Sequence, residues 1–424
     1  MPENTKHCTT TLSLLLLLAF WQTSSLAQDE PAPKASPPEQ LSVDWFQSRV
    51  SKFDLSSFTN LPYFSREYCS KLDSLGRRKD AIEHWNLSFE ITAKQGKHSY
   101  ELLDAAIALN RFDLAEKCLP ESGRQRNSML DKIDIARYKS GEIDELPEFP
   151  RGVELMTFYD AMELSDAYLA REQYDKLDEF LSDLKITEEN KPEDVAGLIY
   201  SRIAKEAREA GDLDKAKTYI NKAQQIGGRL FYTGYGINIR HKAIHGVLMD
   251  ELDRWVSRGE AYRGHMAREL LQGLIRELLV IREYEAAAKI AEENLKDPED
   301  TIAALGRIAS QRARDGEVGK ALGMIRKFQE GRAKDIARLK LAQAMSLSGN
   351  QKGATEIMEI VRPKLKESDE YKYHYYAAAN LAGSLGRTDL ITELVNSAKS
   401  EFDKGLRLLQ AMDGFIAANA EAEE

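Results

Sequence analysis

His241 and His245 stand four residues apart in HKAIHG, so a helix would present both imidazoles on one face. Two imidazoles one turn apart are part of a zinc site, which also needs a third ligand and groups that orient the rings. His265 follows at a distance, and no spacing marks it as that ligand. The pair reads as surface or interface histidines, and neither a metal nor another cofactor is expected. The string DGEVGKAL at 315–322 has a phosphate-loop flavour. Its glycines, Gly316 and Gly319, are too close together, and Ala321 stands where a Ser or Thr would reach magnesium. H-E-x-x-H, G-x-S-x-G, C-x-x-C and the dinucleotide fingerprint are all missing. No residue is assigned a catalytic role, and the protein is not expected to be an enzyme.

Two aromatic stretches remain: GGRLFYTGYGIN at 227–238 and YKYHYY at 371–376. Tyr232, Tyr235, Tyr373 and Tyr376 either form a contact patch for a ligand or pack back on helix ends. Cys69 and Cys118 are either bridged or two buried thiols.

The elements that would position these residues announce themselves by a hinge. AREAGDLDKAKTYI, ARDGEVGKALGMI and LSGNQKGATEIM share a turn-forming residue followed by Ala five positions on. Indexed by that residue, the hinges are Gly76, Asn110, Gly141, Glu172, Gly211, Gly246, Arg282, Gly316, Gly349 and Gly386. Their spacing averages about 34 residues, the period of a helical-hairpin repeat. Six of the ten are followed by Ala: Ala81, Ala115, Ala216, Ala287, Ala321 and Ala354. Apolar residues on both sides fall at helical spacing, as with Ile199, Ile203 and Ala207 before Gly211 and Ala216, Ile220 and Ala223 after it.

The phrases GDLDKA at 211–216, REYEAA at 282–287 and NRFDLA at 110–115 resemble the centre of the tetratricopeptide motif. The early aromatic of that motif is mostly absent, its closing Pro is approximated only near Pro298, and the repeats at Gly141, Gly246 and Gly386 are degenerate. The resemblance implies an all-α fold: about ten antiparallel hairpins over residues 65–412, stacked as an α-solenoid in a right-handed superhelix. It also implies that the first helix of each hairpin lines a concave face. One position on that face lies six residues before each hinge. From the fourth repeat it reads Asp166, Lys205, Arg240, Arg276, Ser310, Gln343 and Asn380, with Arg208 joining the same face. Peptide recognition in this family implies that Lys205, Arg208, Arg240 and Arg276 hold an acidic segment or a terminal carboxylate.

The flanks set the compartment. Lys6, the apolar run 12–21, and Ser25 and Ala27 resemble a secretory signal cut after Ala27, so residues 1–27 would be removed and the protein secreted or periplasmic. Residues 28–40 hold four prolines and read as a disordered linker. Residues 41–64 read as a capping lead-in, and 413–424 as an acidic tail. A net charge of −10 argues against nucleic acid as a partner, and no later segment is apolar enough to insert in a membrane. The expectation is an exported, non-enzymatic scaffold for a protein or peptide. A helical domain for cell-wall or carbohydrate work and a self-assembling structural solenoid are the alternatives.

Overall fold

The computed structural model describes residues 40–96, 99–147, 149–151, 156–186, 191–226, 231–262, 264–365 and 372–423. The expected signal, nearly all of the linker, and Gly227, Gly228 and Tyr371 of the aromatic stretches lie outside the described residues. The fold is all-helical: twenty-one α-helices and two short 3-10 turns, with no strand among the described residues.

A lead-in helix, α1 (Val43–Val50), precedes a series of helix pairs. These are α2 (Leu61–Ser74) with α3 (Arg78–Lys94), α4 (Tyr100–Ala108) with α5 (Phe112–Lys117), then α6 (Arg124–Ser140) alone. Next come α7 (Phe158–Ala170) with α8 (Tyr174–Ser182), α9 (Pro192–Glu209) with α10 (Leu213–Ile226), and α11 (Phe231–Ile244) with α12 (Leu252–Ala261). The remaining pairs are α13 (His265–Val280) with α14 (Tyr284–Asn294), α15 (Pro298–Arg314) with α16 (Val318–Arg326), α17 (Arg332–Leu347) with α18 (Gln351–Leu365), and α19 (Lys372–Ser384) with α20 (Thr388–Asn396). A single long helix, α21 (Glu401–Glu423), closes the series.

All ten hinge residues adopt positive φ, including the three that are not glycine: Asn110 at 49°, Glu172 at 54° and Arg282 at 62°. At each hinge two hydrogen bonds stop the preceding helix. At Gly211 its own N–H donates to the Arg208 carbonyl at 3.0 Å, and the Asp212 N–H donates to the Ala207 carbonyl at 2.8 Å. This paired closure satisfies carbonyls that the helix end would otherwise leave without donors. The alanine five residues on is fully buried in all six cases, so the second helix comes close under the first.

Each first helix touches the first helix of the next pair, in the order α2, α4, α6, α7, α9, α11, α13, α15, α17, α19. The order then runs through α21 and returns to α2. Phe415 of α21 lies 5.7 Å from Phe46, and Phe402 lies 5.9 Å from Phe58. Lys71 on α2 pairs with Asp413. The crossing of α19 and α21 is backbone on backbone: a Cβ added at Gly414 would sit 1.8 Å from the Asn380 carbonyl oxygen. The core of the first pairs is therefore continuous with that of the last.

Two expectations need correcting. The segment expected as a tail is helical as far as Glu423, where it forms the C-terminal half of α21, and Met412 beside it is fully buried. Its apolar residues find the aromatic lead-in as a partner, which a terminal tail would lack. Among the described residues no second helix follows the hinge at Gly141 before Phe158. Pro147 and Pro150 interrupt GEIDELPEFP, since proline lacks the N–H a helix interior needs. Arg151 instead anchors the segment to α6 through Asp131, at 2.7 Å, and Asp134. Cys69 and Cys118 are both buried and are not bridged to each other, and the Cys69 thiol donates to the Ala81 carbonyl.

Candidate functional site

The polar row on the first helices divides into three parts. On α9, Lys205 is exposed and pairs with Glu209 one turn on at 3.6 Å, while the Arg202 guanidinium reaches Asp166 on α7 at 2.6 Å. Ser310 on α15 donates back to the Gly306 carbonyl of its own helix. Gln343 on α17 donates to Asn380 on α19 at 2.6 Å. Asn380 lies where α21 crosses α19, so this end of the row is part of a helix–helix seam.

The middle of the row is where charge gathers. Arg208 on α9 and Arg240 on α11 both donate to Glu277 on α13, at 2.9 and 3.1 Å. The Glu277 side chain is only 10% exposed, and its two oxygens are each taken by one guanidinium. Arg240 also donates to the hydroxyl and carbonyl oxygens of Ser201 at 2.6 and 3.0 Å. One carboxylate thus ties three successive first helices together. A paired, shielded carboxylate of this kind compensates the arginines, and they are not open to an incoming anion. Arg208 and Arg240 are engaged in structure by Glu277.

Arg276 differs. It is the residue before Glu277, it is exposed, and among the described residues no hydrogen bond or ion pair engages it. Arg307, on the next first helix, makes no hydrogen bond or ion pair among the described residues. Burial, and after it the Arg276 guanidinium, pushes the Arg307 pKa below the ordinary arginine value. The carboxylate that acts on Arg307 is Asp300, which Arg268 already holds at 2.6 Å. Lys340, exposed on α17, occupies the same place nine residues before its hinge as Arg307 does on α15. The sequence reading missed Arg307 and Lys340 because it followed the row six before the hinge. The row nine before, which reads Arg202, Ile237, Gly273, Arg307 and Lys340, carries the signal.

Between α15 and α17 lies a cavity of about 350 Å³, lined by Asp300, Ala303, Gly306, Arg332, Ile336 and Lys340 among others. Beside it the two helices approach closely, because a Cβ at Gly306 would sit 3.0 Å from that of Ala337. A smaller cavity of about 80 Å³ separates α11 from α13, with Tyr235 on one wall and Arg276 on the other. A wider concavity of about 660 Å³ near the N-terminal helices has Phe53, Leu55, Leu72 and His84 in its walls.

Of the aromatic residues, Tyr235 packs edge-on against Trp255 and its hydroxyl meets that of Tyr262. It is thus held between α11 and α12. Tyr376 is half-buried on α19, while the side chains of Tyr232 and Tyr373 lie outside the described ones. His241 and His245 converge on the Asn221 side-chain oxygen at 3.0 and 3.1 Å. Among the described residues, no group of three His, Cys, Asp or Glu is placed to hold a metal.

The described residues form an all-helical chain in which Arg276, Arg307 and Lys340 lie on three successive helices of the row α13, α15 and α17. No protein-family description and no curated protein matches the sequence. Among the described residues no helix is long and apolar enough to cross a membrane.

Proposed function

We propose that the chain is an exported scaffold of tetratricopeptide-like repeats, and that its first-helix face binds an acidic protein or peptide segment. The α-solenoid reading draws support from the ten hinges, their shared left-handed closure and the buried alanine that follows six of them. A right-handed course for the stack belongs to this proposal. Contact between α21 and α2 would make the stack return to its start rather than end in two free caps. Export rests on the signal-like residues 1–27.

One observation carries the binding reading. In a chain with ten more acidic than basic residues, Arg276, Arg307 and Lys340 lie on three successive first helices, and among the described residues no ion pair engages them. Ligand acidic groups would supply the missing partners, and guanidinium forks suit carboxylates. Arg208 and Arg240 would act by fixing α9, α11 and α13 in register, not by touching the ligand. The Tyr235 ring, held by Trp255 and Tyr262, is poorly placed as a sugar-stacking platform, so the carbohydrate reading has less support.

Affinity capture of the mature protein's partners from its native extracellular or periplasmic fraction tests this. Wild type is expected to retain acidic proteins that Arg276→Glu releases. An identical captured set from both, eluting at the same salt concentration, would sink the proposal.

A further inference from the structure

In sequence the pair His241 and His245 lacks a third ligand, and the fold brings one from the preceding helix. His241 lies on α11, and His245 follows one residue past its end, where its N–H still donates to the His241 carbonyl at 3.0 Å. Helical spacing thus puts both imidazoles on one side, with ring centroids 4.4 Å apart. α10 supplies Asn221, whose side-chain oxygen meets Nε2 of His241 at 3.0 Å and Nε2 of His245 at 3.1 Å. Three donor atoms from two helices therefore converge on one point. Around an ion with bonds of about 2.0–2.1 Å, neighbouring donor atoms stand about 2.9 Å apart at right angles and about 3.3 Å apart in a tetrahedron. Both nitrogen–oxygen distances fall between these values. Asn221 is exposed and the two histidines are half-buried, so an ion can reach the cluster. Nδ1 of His241 is buried and meets no partner, so no hydrogen bond on that side fixes the ring. Turning both rings off the Asn221 oxygen aims two lone pairs at a shared ion beside it. Lys242, next to His241, is tied to Glu251 at 2.7 Å, which compensates the adjoining cation.

We propose that His241, His245 and Asn221 form a binding site for a divalent zinc or copper ion. Two neutral imidazoles suit both metals, and the amide oxygen and water complete the shell. A soft monovalent ion favours sulfur, and calcium or magnesium takes more oxygens, so neither matches this donor set. The bound ion clamps the second helix of one hairpin, α10, to the first helix of the next, α11. It holds the angle between two neighbouring hairpins, where a repeat array draws its stability. The site uses none of the cations assigned to the acidic segment and stands apart from that reading.

Calorimetric titration of the full chain, free of any histidine tag and near neutral pH, tests the site. Zinc and copper chlorides are the probes, with calcium and magnesium chlorides as controls. Zinc and copper are expected to bind saturably, copper more tightly, and the controls not at all. Binding of copper without zinc would assign the site to copper. His241→Gln and His245→Gln are each expected to weaken binding at least about tenfold, the least that loss of an orienting partner costs at metal sites. Asn221→Asp is expected to strengthen it, because a carboxylate adds negative charge to the shell. His265→Gln is expected to leave it unchanged. A spectroscopic readout separates ligation from loss of fold. Electron paramagnetic resonance of the copper complex should show two coordinated nitrogens in wild type and fewer in either variant of the pair. Zinc should raise the melting temperature of wild type and leave that of the doubly substituted protein, His241→Gln with His245→Gln, unmoved. Zinc and copper binding unaltered by both single substitutions, which is how metal held elsewhere on the chain would behave, would overturn the proposal. Wild-type binding of both metals no tighter than that of calcium would do the same.

Discussion

Glu277 separates the structural arginines from the available one, and its removal gives the sharpest prediction. Its side chain is about nine-tenths buried and accepts from Arg208 and Arg240, whose side chains are 12% and 22% exposed. Glu277→Gln keeps the shape but removes the only anion between two guanidiniums. Breaking a buried pair in this way costs about 3–5 kcal/mol, because the remaining charges stay shielded and uncompensated. Arg240→Gln leaves Arg208 on Glu277 and loses one charged contact plus the bonds to Ser201. About 2 kcal/mol is expected there, within the range for hydrogen bonds to charged groups. The double variant should lose less than the sum, by at least about 0.5 kcal/mol, because both substitutions remove the same contact. Arg276→Gln, one residue from Glu277, should stay within about 0.5 kcal/mol of wild type. Urea unfolding followed by circular dichroism measures all four proteins. A repeat array need not unfold in one step, so the midpoint of the first transition is compared and hydrogen exchange locates it on α9, α11 and α13. A neutral Glu277→Gln, or an Arg276→Gln as damaging as Arg240→Gln, would refute this division of roles.

Other substitutions probe the frame. Gly414→Ala forces a Cβ to within 1.8 Å of the Asn380 oxygen, and a loss of about 1–3 kcal/mol or more is expected in thermal melts. Gly405→Ala meets only the movable rings of Phe58 and Phe64 and should lose less. Gly211→Ala places a Cβ on left-handed backbone and should cost about 1–2 kcal/mol, whereas Arg282→Gly should be neutral or stabilising in the same melts. Burial pulls the His84 pKa down to about 4, so in the fold the ring stays neutral while the unfolded chain takes up a proton below about 6.5. Stability contributed by neutral His84 is thus present above about pH 6.5 and falls as pH drops toward 4. Melting temperatures between pH 7 and 4.5 should fall less steeply in His84→Gln than in wild type.

The frame was far more legible in the sequence than the site. A hinge is a local event, set by the end of one helix and the start of the next, so its signature stays within a few residues. That is why the period located Asn110, Glu172 and Arg282 without a glycine to mark them. The fate of charges is not local. Arg240 carries the same residue type as Arg276, at the same repeat position, yet only Arg240 has Glu277 opposite. That pairing spans 37 residues and depends on the facing of two helices. The helical end at 413–423 was illegible for a similar reason: its partner, the lead-in around Phe46, lies at the other end of the chain.

The first-helix face is proposed to bind an acidic segment through cations such as Arg276. Fluorescence anisotropy of a labelled Asp/Glu-rich peptide, titrated with wild type, Arg276→Glu and Lys205→Glu, tests it most directly. Binding is expected to be saturable, to weaken with added salt, to be abolished by Arg276→Glu and to change little with Lys205→Glu. Equal binding by all three proteins, or no preference over a peptide with Asn and Gln in place of Asp and Glu, would contradict it.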